Sequence, residues 1–312
     1  MDPYKFLNIT RNSDGTLDRS SSLASLTTPN SSLSKDLPLN LSLHTSIRIF
    51  HPNPNPNSNP NSLLPIILYF HGGGFILFSS SSTFFHNSCT TLATQIPALI
   101  ISVDYRLAPE HRLPAAYEDA MDALLWLKSQ SQNPTHPWLS SGIDFSRCFL
   151  MGSSCGANIA YQAGLRTTDM DLEPLKIAGI IMNQPYFGGI ERTESEKMMV
   201  DDKVVPLAAN DLMWELALPE GMDRDHEYSN PGKGDVVRMR KLGRCLVRGY
   251  LGDPLVDRAR EIGRMLEKEG VRVDLKVDLE GHHGIELLKE EKLEELAEDI
   301  RKFVSACGLA SL

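Results

Sequence analysis

Residues Phe149 to Tyr161 read FLMGSSCGANIAY: an apolar run ending in glycine, then two serines, a cysteine and a second glycine. Three adjacent side chains, Ser153, Ser154 and Cys155, are nucleophiles by type, and spacing decides among them. A G-x-S-x-G turn between a buried strand and a helix brings the residues two before and two after its centre nearly into contact, so both must be small. Ser154 has Gly152 and Gly156 in those places. Ser153 has Met151 and Cys155, which clash; Cys155 has Ser153 and Ala157, small but not paired glycines. The expected turn carries Ser154 at its tip, with RCFLMG (147–152) as strand and CGANIAYQAGLR (155–166) as helix. The helix N-terminus brings partial positive charge toward any oxyanion formed there. A glycine-rich turn with no chemistry has the same local pattern, so the rest of the chain must supply the partners.

Working outward, LLPIILYF (63–70), ALIISVDY (98–105), IAGIIMNQ (177–184) and RCLVRGY (244–250) are, like RCFLMG, apolar runs without polar alternation. Strands buried on both faces of a parallel sheet have this pattern. Helix-like stretches separate them, PAAYEDAMDALLWLKSQ (114–130) and DRAREIGRMLEKEG (257–270) among them. The alternation predicts an α/β fold with a doubly wound, mostly parallel sheet and helices on both faces. VRVDLKVDL (271–279) alternates as an edge strand does. Leu293, Leu296, Ile300 and Phe303 recur at helical spacing, and the Glu/Lys residues around them form a solvated face. Three stretches interrupt the pattern. Residues 1–41 are a Ser/Thr/Asn/Leu-rich leader; HPNPNPNSNPNS (His51–Ser62) is an exposed loop; and 190–240 is a polar insert holding the helix-like DLMWELALP, where a lid would lie. The expectation is one domain, 1–312, with the leader and the insert as cap segments.

With 41% hydrophobic and 23% charged residues, the 312-residue chain has ample material for a core. A net charge of −9 argues against nucleic-acid and anionic-membrane partners. No apolar run approaches the roughly 18 residues of a spanning helix. The opening MDPYKFLNIT has neither the basic nor the apolar region of a secretory signal. Five scattered cysteines show no CxxC spacing, so neither a zinc site nor a disulfide framework is indicated. A cytoplasmic, reduced protein acting on a small molecule is expected, with no membrane or nucleic-acid partner.

A serine hydroxyl needs a base, and an imidazole base needs an acid to hold its tautomer. With a G-x-S-x-G serine the chain order is serine, acid, histidine. RCLVRGYLGDPLVD delivers Asp253 just past the next-to-last core strand, and VDLEGHHGIELL delivers His282 and His283 past the last. Asp253 is preferred to Asp257, which is one helical turn further on. Asp253 has a second reading as a helix N-cap. His283, beside Gly284, is preferred to His282 because the loop must approach the serine closely. Adjacent histidines point apart and have no third ligand nearby, so no metal site is expected.

LYFHGGGF (68–75) follows the first strong strand. Its glycines let backbone N–H groups face an oxyanion, as in the HGGG loops of lipases and esterases. The donors are read as Gly73, Gly74 and the N–H of Cys155, whose side chain then needs only to be small. A phosphate loop is the competing reading, but no Gly-Lys-Ser/Thr follows.

HGGG, G-x-S-x-G, Asp and His in this order, with SVDYRLAPEHRLPAAYEDAMDAL, MWELALPEGMDRDHEYSNP and GDPLVDRA, resemble the plant carboxylesterases of the hormone-sensitive-lipase type. The resemblance runs from about residue 3 to 305. It implies the α/β-hydrolase fold with an eight-stranded sheet capped by the leader and the 190–240 insert. It also implies cofactor-free hydrolysis of short-acyl esters of small metabolites. Arg106, Glu110 and His111 of the DYRLAPEHRLP block are read as a structural polar network. Phe75, Leu77 and Trp214 are the expected substrate-pocket lining. Many relatives have an acidic residue before the nucleophile and AGGN after it; here these are Ser153 and CGAN, which alters the electrostatics beside Ser154. Two other functions share the fold. Gibberellin receptors lack the histidine that His283 supplies here. Dehydratases and cyclases use the base and oxyanion donors for elimination.

Overall fold

The computed structural model describes residues 1–52 and 63–308, so most of the Pro/Asn stretch lies outside it. A short helix α1 (Pro3–Leu7) and a two-stranded hairpin, β1 (Thr10–Arg11) and β2 (Leu17–Asp18), lead into the main sheet. There β3 (Ser34–Asn40) and β4 (Thr45–Phe50) run antiparallel to one another. The apolar runs follow: β5 (Leu64–Phe70), helix α2 (Thr83–Gln95), β6 (Leu99–Asp104) and helix α3 (Ala115–Gln132). Next come β7 (Ile143–Ser153), helix α4 (Cys155–Thr167) and β8 (Ile177–Asn183). Helices α5 (Glu194–Met198), α6 (Leu207–Ala217) and α7 (Val236–Met239) fill the connection to β9 (Cys245–Gly252). Helix α8 (Val256–Lys268), β10 (Val273–His282) and helix α9 (Glu290–Gly308) complete the chain.

The eight-stranded sheet has the order β10-β9-β8-β7-β5-β6-β4-β3. It is parallel except where β4 pairs with β3 and β6. The leader therefore does not extend to residue 41, because Ser34–Asn40 is an edge strand of the main sheet. Its polar composition and internal proline, Pro38, hid it, and both are tolerated at a sheet edge. The alternating run at 271–279 lies in β10, the opposite edge.

The central strands bury both faces, which is why their sequences lack alternation. On β5, Ile66, Leu68 and Phe70 join the core under α3 and α4, while Ile67 and Tyr69 join Phe85 and Leu92 of α2 and Ile300 and Phe303 of α9. From β5 the chain winds outward to β6 and then returns to β7 on the other side of β5. At such a reversal the loops leaving the carboxyl ends of neighbouring strands diverge and leave a crevice. Phe70 and Gly152 are partners in the β5–β7 register, so HGGG and the G-x-S-x-G turn start side by side at its edge. Among the described residues no helix is long and apolar enough to cross a membrane.

Candidate active site

Strand β7 ends at Ser153, α4 begins at Cys155, and Ser154 between them has φ 56° and ψ −123°. A non-glycine residue adopts this only when its surroundings hold it there. The two glycines permit the turn. A β-carbon on Gly152 would lie 2.0 Å from the Gly156 backbone, and one on Gly156 would lie 2.0 Å from the Phe70 carbonyl oxygen. The Ser154 N–H donates to the Asn183 carbonyl at 2.9 Å.

Strands β9 and β10 are parallel, with Gly252 beside His282. The next residue on each, Asp253 and His283, thus emerges next to the other. Asp253 Oδ2 lies 2.8 Å from His283 Nδ1, and His283 Nε2 lies 3.0 Å from Ser154 Oγ. Asp253 is 1% exposed, and its Oδ1 accepts the Leu255 N–H at 2.8 Å, so the same carboxylate also steadies the entry to α8. Asp257 turns away, accepting from the Ser195 N–H and Arg260. Among the described residues the ring of His282 has one hydrogen-bond partner, the His283 carbonyl. Burial opposes charge on His283, but the Asp253 carboxylate outweighs it, with Glu286 adding to the effect, and its pKa lies above the ordinary histidine value.

The loop after β5 is built on positive φ: +117° at Gly73, +61° at Gly74 and +67° at Phe75. A β-carbon on Gly73 would meet the Leu77 carbonyl at 2.4 Å. Among the described residues no backbone carbonyl accepts the N–H of Gly73 or Gly74, and the Gly74 N–H, like that of Phe75, lies close enough to the Cys155 thiol to act on it. Cys155, first in α4, has an N–H that the helix cannot use. The loop's His71 stacks on Tyr105 at 4.2 Å, and the Tyr105 hydroxyl donates to the His71 carbonyl at 2.8 Å.

The Cys155 side chain does more than stay small: its Sγ accepts the Phe75 N–H at 3.2 Å. Burial pushes this thiol's pKa up to about 11, and a protonated, fully buried thiol is a poor nucleophile. Ser153 accepts from the Tyr69 hydroxyl at 3.3 Å and from Asn183 Nδ2 at 3.4 Å.

Ser154 opens into a cavity of about 430 Å³. Phe6, Leu7 and Leu23 of the leader and Val205 and Met213 of the insert form part of its walls. Leu77 lines it, but Phe75 and Trp214 do not. Both are at most 1% exposed and lie in the core behind the wall, where Trp214 stacks on Tyr186 at 4.6 Å. On α6 it is the neighbouring Met213, not Trp214, that faces the cavity. Arg106, Glu110 and His111 do not form one network. Arg106 pairs with buried Asp119 and Glu110 with Arg19 of the leader, whereas His111 is exposed and its ring has no partner among the described residues. Arg19 also donates to the carbonyls of Ile76 and Ala108, tying the leader to the glycine loop.

A hydroxyl facing an imidazole whose far nitrogen faces a buried carboxylate can lose its proton as it adds to a carbonyl carbon. The family model described as alpha/beta hydrolase fold matches residues 67–287. The chain belongs to the α/β hydrolase fold family. It is 51% identical to Probable carboxylesterase 8 of Arabidopsis thaliana, over 98% of this chain and 94% of that protein. It is 47% identical to a 3-O-acetylpapaveroxine carboxylesterase of Papaver somniferum, over 97% of this chain and 99% of that protein. An esterase of Pyrobaculum calidifontis superposes with a TM-score of 0.73 at 24% identity, covering 90% of this chain and 88% of the other, a likeness of fold. With relatives of this kind along its whole length, this α/β hydrolase is a carboxylic ester hydrolase of the plant carboxylesterase group.

Missed from sequence were Asn183, Gln184, Arg248 and Glu286, which join around the serine and histidine loops. One signal was present: an arginine inside the apolar run RCLVRGY must find a buried counter-charge.

Proposed function

We propose that this α/β hydrolase cleaves short-acyl esters of small plant metabolites through an acyl-enzyme on Ser154. His283 Nε2 takes the Ser154 proton as Oγ adds to the ester carbonyl, and Asp253 holds Nδ1–H and balances the imidazolium. The N–H groups of Gly73, Gly74 and Cys155 receive the oxyanion. The imidazolium protonates the leaving alkoxide, and water, deprotonated by the same ring, then releases the acid. These steps need no cofactor. The observation that carries the reading is the unbroken contact from Asp253 through His283 to Ser154, 2.8 and 3.0 Å.

Small substrates are supported by the cavity, about 430 Å³ and walled mainly by apolar side chains. The leader and the insert, which both contribute to that wall, act as its cap in this reading. The poppy relative is named for an acetyl ester, in keeping with a short acyl group. A reducing, cytoplasmic setting is supported by five free thiols, four of them buried.

The test is turnover of p-nitrophenyl acetate together with intact-mass and peptide mapping after treatment with an aryl phosphonate. One phosphonyl adduct on Ser154, with loss of turnover, is expected. Ester turnover that survives complete labelling, or an adduct on Ser153 or Cys155, overturns the reading.

A further inference from the structure

Glu286, 4% exposed, sits in the turn Ile285–Leu287 just after His283 and contributes to the cavity wall. Among the described residues four side chains donate hydrogen bonds to its carboxylate. Oε1 accepts from Asn183 Nδ2 at 3.0 Å, the Tyr250 hydroxyl at 2.9 Å and Arg248 at 3.4 Å. Oε2 accepts from Gln184 Nε2 at 2.8 Å. Fully buried Arg248 is shared with Asp299 of α9, 2.9 Å away, to which Lys276 of β10 also binds. Buried ion pairs add little net stability over apolar packing of the same shape, so the use of this one is sought in geometry.

Asn183 and Gln184 leave β8, which lies between the strands that deliver the serine and the acid. The Asn183 carbonyl holds the Ser154 N–H at 2.9 Å. Gln184 Oε1 holds the N–H of Gly284, the residue after His283, at 2.6 Å. Gln184 has φ 50°, a left-handed conformation that its contacts must maintain. A side-chain amide can turn over and exchange its oxygen for its nitrogen. Glu286 Oε2 removes that freedom by taking the NH₂ group, which leaves the oxygen for Gly284.

We propose that Glu286 is a positioning residue: it selects the orientation of the Gln184 amide, which holds the Gly284 N–H and so keeps His283 within reach of Ser154. The inference rests on the reading of Ser154 as nucleophile and His283 as base. Through Asn183 the same carboxylate is joined to the residue that anchors the serine turn. Its charge also acts on His283, which Asp253 and, more weakly, Glu286 and Asp202 bias toward the protonated form against burial. The other charged or titratable groups facing Glu286 are Arg248 and Tyr250 of β9 and Tyr69 of β5, with Asp299 of α9 and Lys276 of β10 behind Arg248.

In Glu286→Gln an NH₂ faces the Gln184 NH₂. Asn183, Tyr250 and Arg248 all donate to the other end of the new amide and hold its oxygen there, so the Gln184 amide is the one that turns, and the Gly284 N–H loses its acceptor. The expected result is a kcat lowered by about tenfold to a hundredfold with KM little changed, and an acid limb of kcat/KM moved to lower pH. The double variant Glu286→Gln, Gln184→Glu carries a carboxylate opposite both the Gly284 N–H and the new amide, so every donor regains an acceptor and the charge is kept. It should recover kcat and return the acid limb toward its original position. Gln184→Met removes both contacts while leaving Arg248 its partners, and should lose kcat as Glu286→Gln does. Thermal melts establish which variants are folded. Wild-type kcat in folded Glu286→Gln or Gln184→Met, or a folded double variant no better than Glu286→Gln, overturns the inference. Ser154→Ala separates the two kinds of failure. If it still turns over ester, the nucleophile assignment falls and this inference with it. If it is dead while Glu286→Gln is unaffected, only this inference falls.

Discussion

The sulfur of Met213 occupies the space that a side chain on Gly74 would need: a β-carbon there would lie 2.0 Å from Sδ. Met213 belongs to α6 of the insert and Gly74 to the loop after β5, so the insert rests on the segment read as the oxyanion loop. Gly74 also has φ +61°, a region that costs an alanine energy even without a clash. Gly74→Ala must therefore turn its own N–H or displace Met213. Losing one oxyanion donor costs about 10²–10³ in kcat, and that loss is expected in a protein that still folds, with a melting temperature lowered by the strain and the clash. Wild-type kcat in Gly74→Ala would remove this N–H from the mechanism.

Ser154→Ala should abolish ester turnover, and Ser153→Ala should retain most of it, since Ser153 Oγ only accepts weak bonds from Tyr69 and Asn183. Cys155→Ala falls between them. It strands the buried Phe75 N–H, at a cost of about 1–3 kcal/mol, and loosens the loop without removing a reacting group. Steady-state kinetics on the three variants decide the matter. A dead Ser153→Ala beside an active Ser154→Ala would mean that the nucleophile is one position earlier.

Much of this arrangement was legible because it rests on local constraints. Gly152 and Gly156 must be small for a turn in which their backbones touch, and that requirement appears directly as spacing. The double-faced apolar strands were legible for the same kind of reason, since burial on both sides leaves no polar alternation. What was hidden depends on tertiary choices. Strand β3, with pattern SKDLPLN, needs no apolar face because it is an edge. Helix α2 carries His86, Ser88 and Cys89 on its buried side, which blurs the helical period. Met213 and Trp214 are adjacent in sequence, and only the packing of α6 decides that one lines the cavity while the other stacks on Tyr186. Glu286 is silent in sequence because its partners come from β8 and β9, brought together by the sheet order.

The pH profile should reflect the environment of His283. Only the neutral ring can accept the serine proton, so kcat/KM rises as pH climbs through the histidine pKa and falls as pH drops below it. The sequence alone suggests a midpoint near the ordinary value of about 6.5. The Asp253 carboxylate overcomes the effect of burial and raises that pKa, so the acid limb should lie higher. His283→Ala should be inactive and His282→Ala only impaired, since the His282 ring bonds to the His283 carbonyl and has no hydrogen bond to Ser154 or Asp253 among the described residues. Asp253→Asn should cost up to about 10⁴-fold, because the ring loses the group that holds its tautomer. An acid limb at or below 6.5 would mean that the carboxylate does not govern the ring.

Acyl length is the last test, and it depends on the leader. Helix α1 packs on α6, and Phe6 and Leu7 enter the cavity wall from it. A closed pocket gains about 0.8 kcal/mol per buried methylene until it is full; beyond that, overpacking costs about 1–3 kcal/mol. With tenfold in rate corresponding to about 1.4 kcal/mol, kcat/KM should peak between acetyl and butyryl esters and fall by at least about tenfold at octanoyl. The leader can be tested without touching the sheet by removing residues 1–8, because the edge strand β3 begins only at Ser34. That truncation should leave the core folded, open the wall formed by Phe6 and Leu7, and flatten the preference so that octanoyl esters are no longer disfavoured. A p-nitrophenyl ester series from C2 to C16, run on the full chain and on the truncated one, checks both statements. If the full chain keeps gaining through C12 and is activated at a lipid interface, the substrate lies in an open groove, and neither the leader nor the insert closes it.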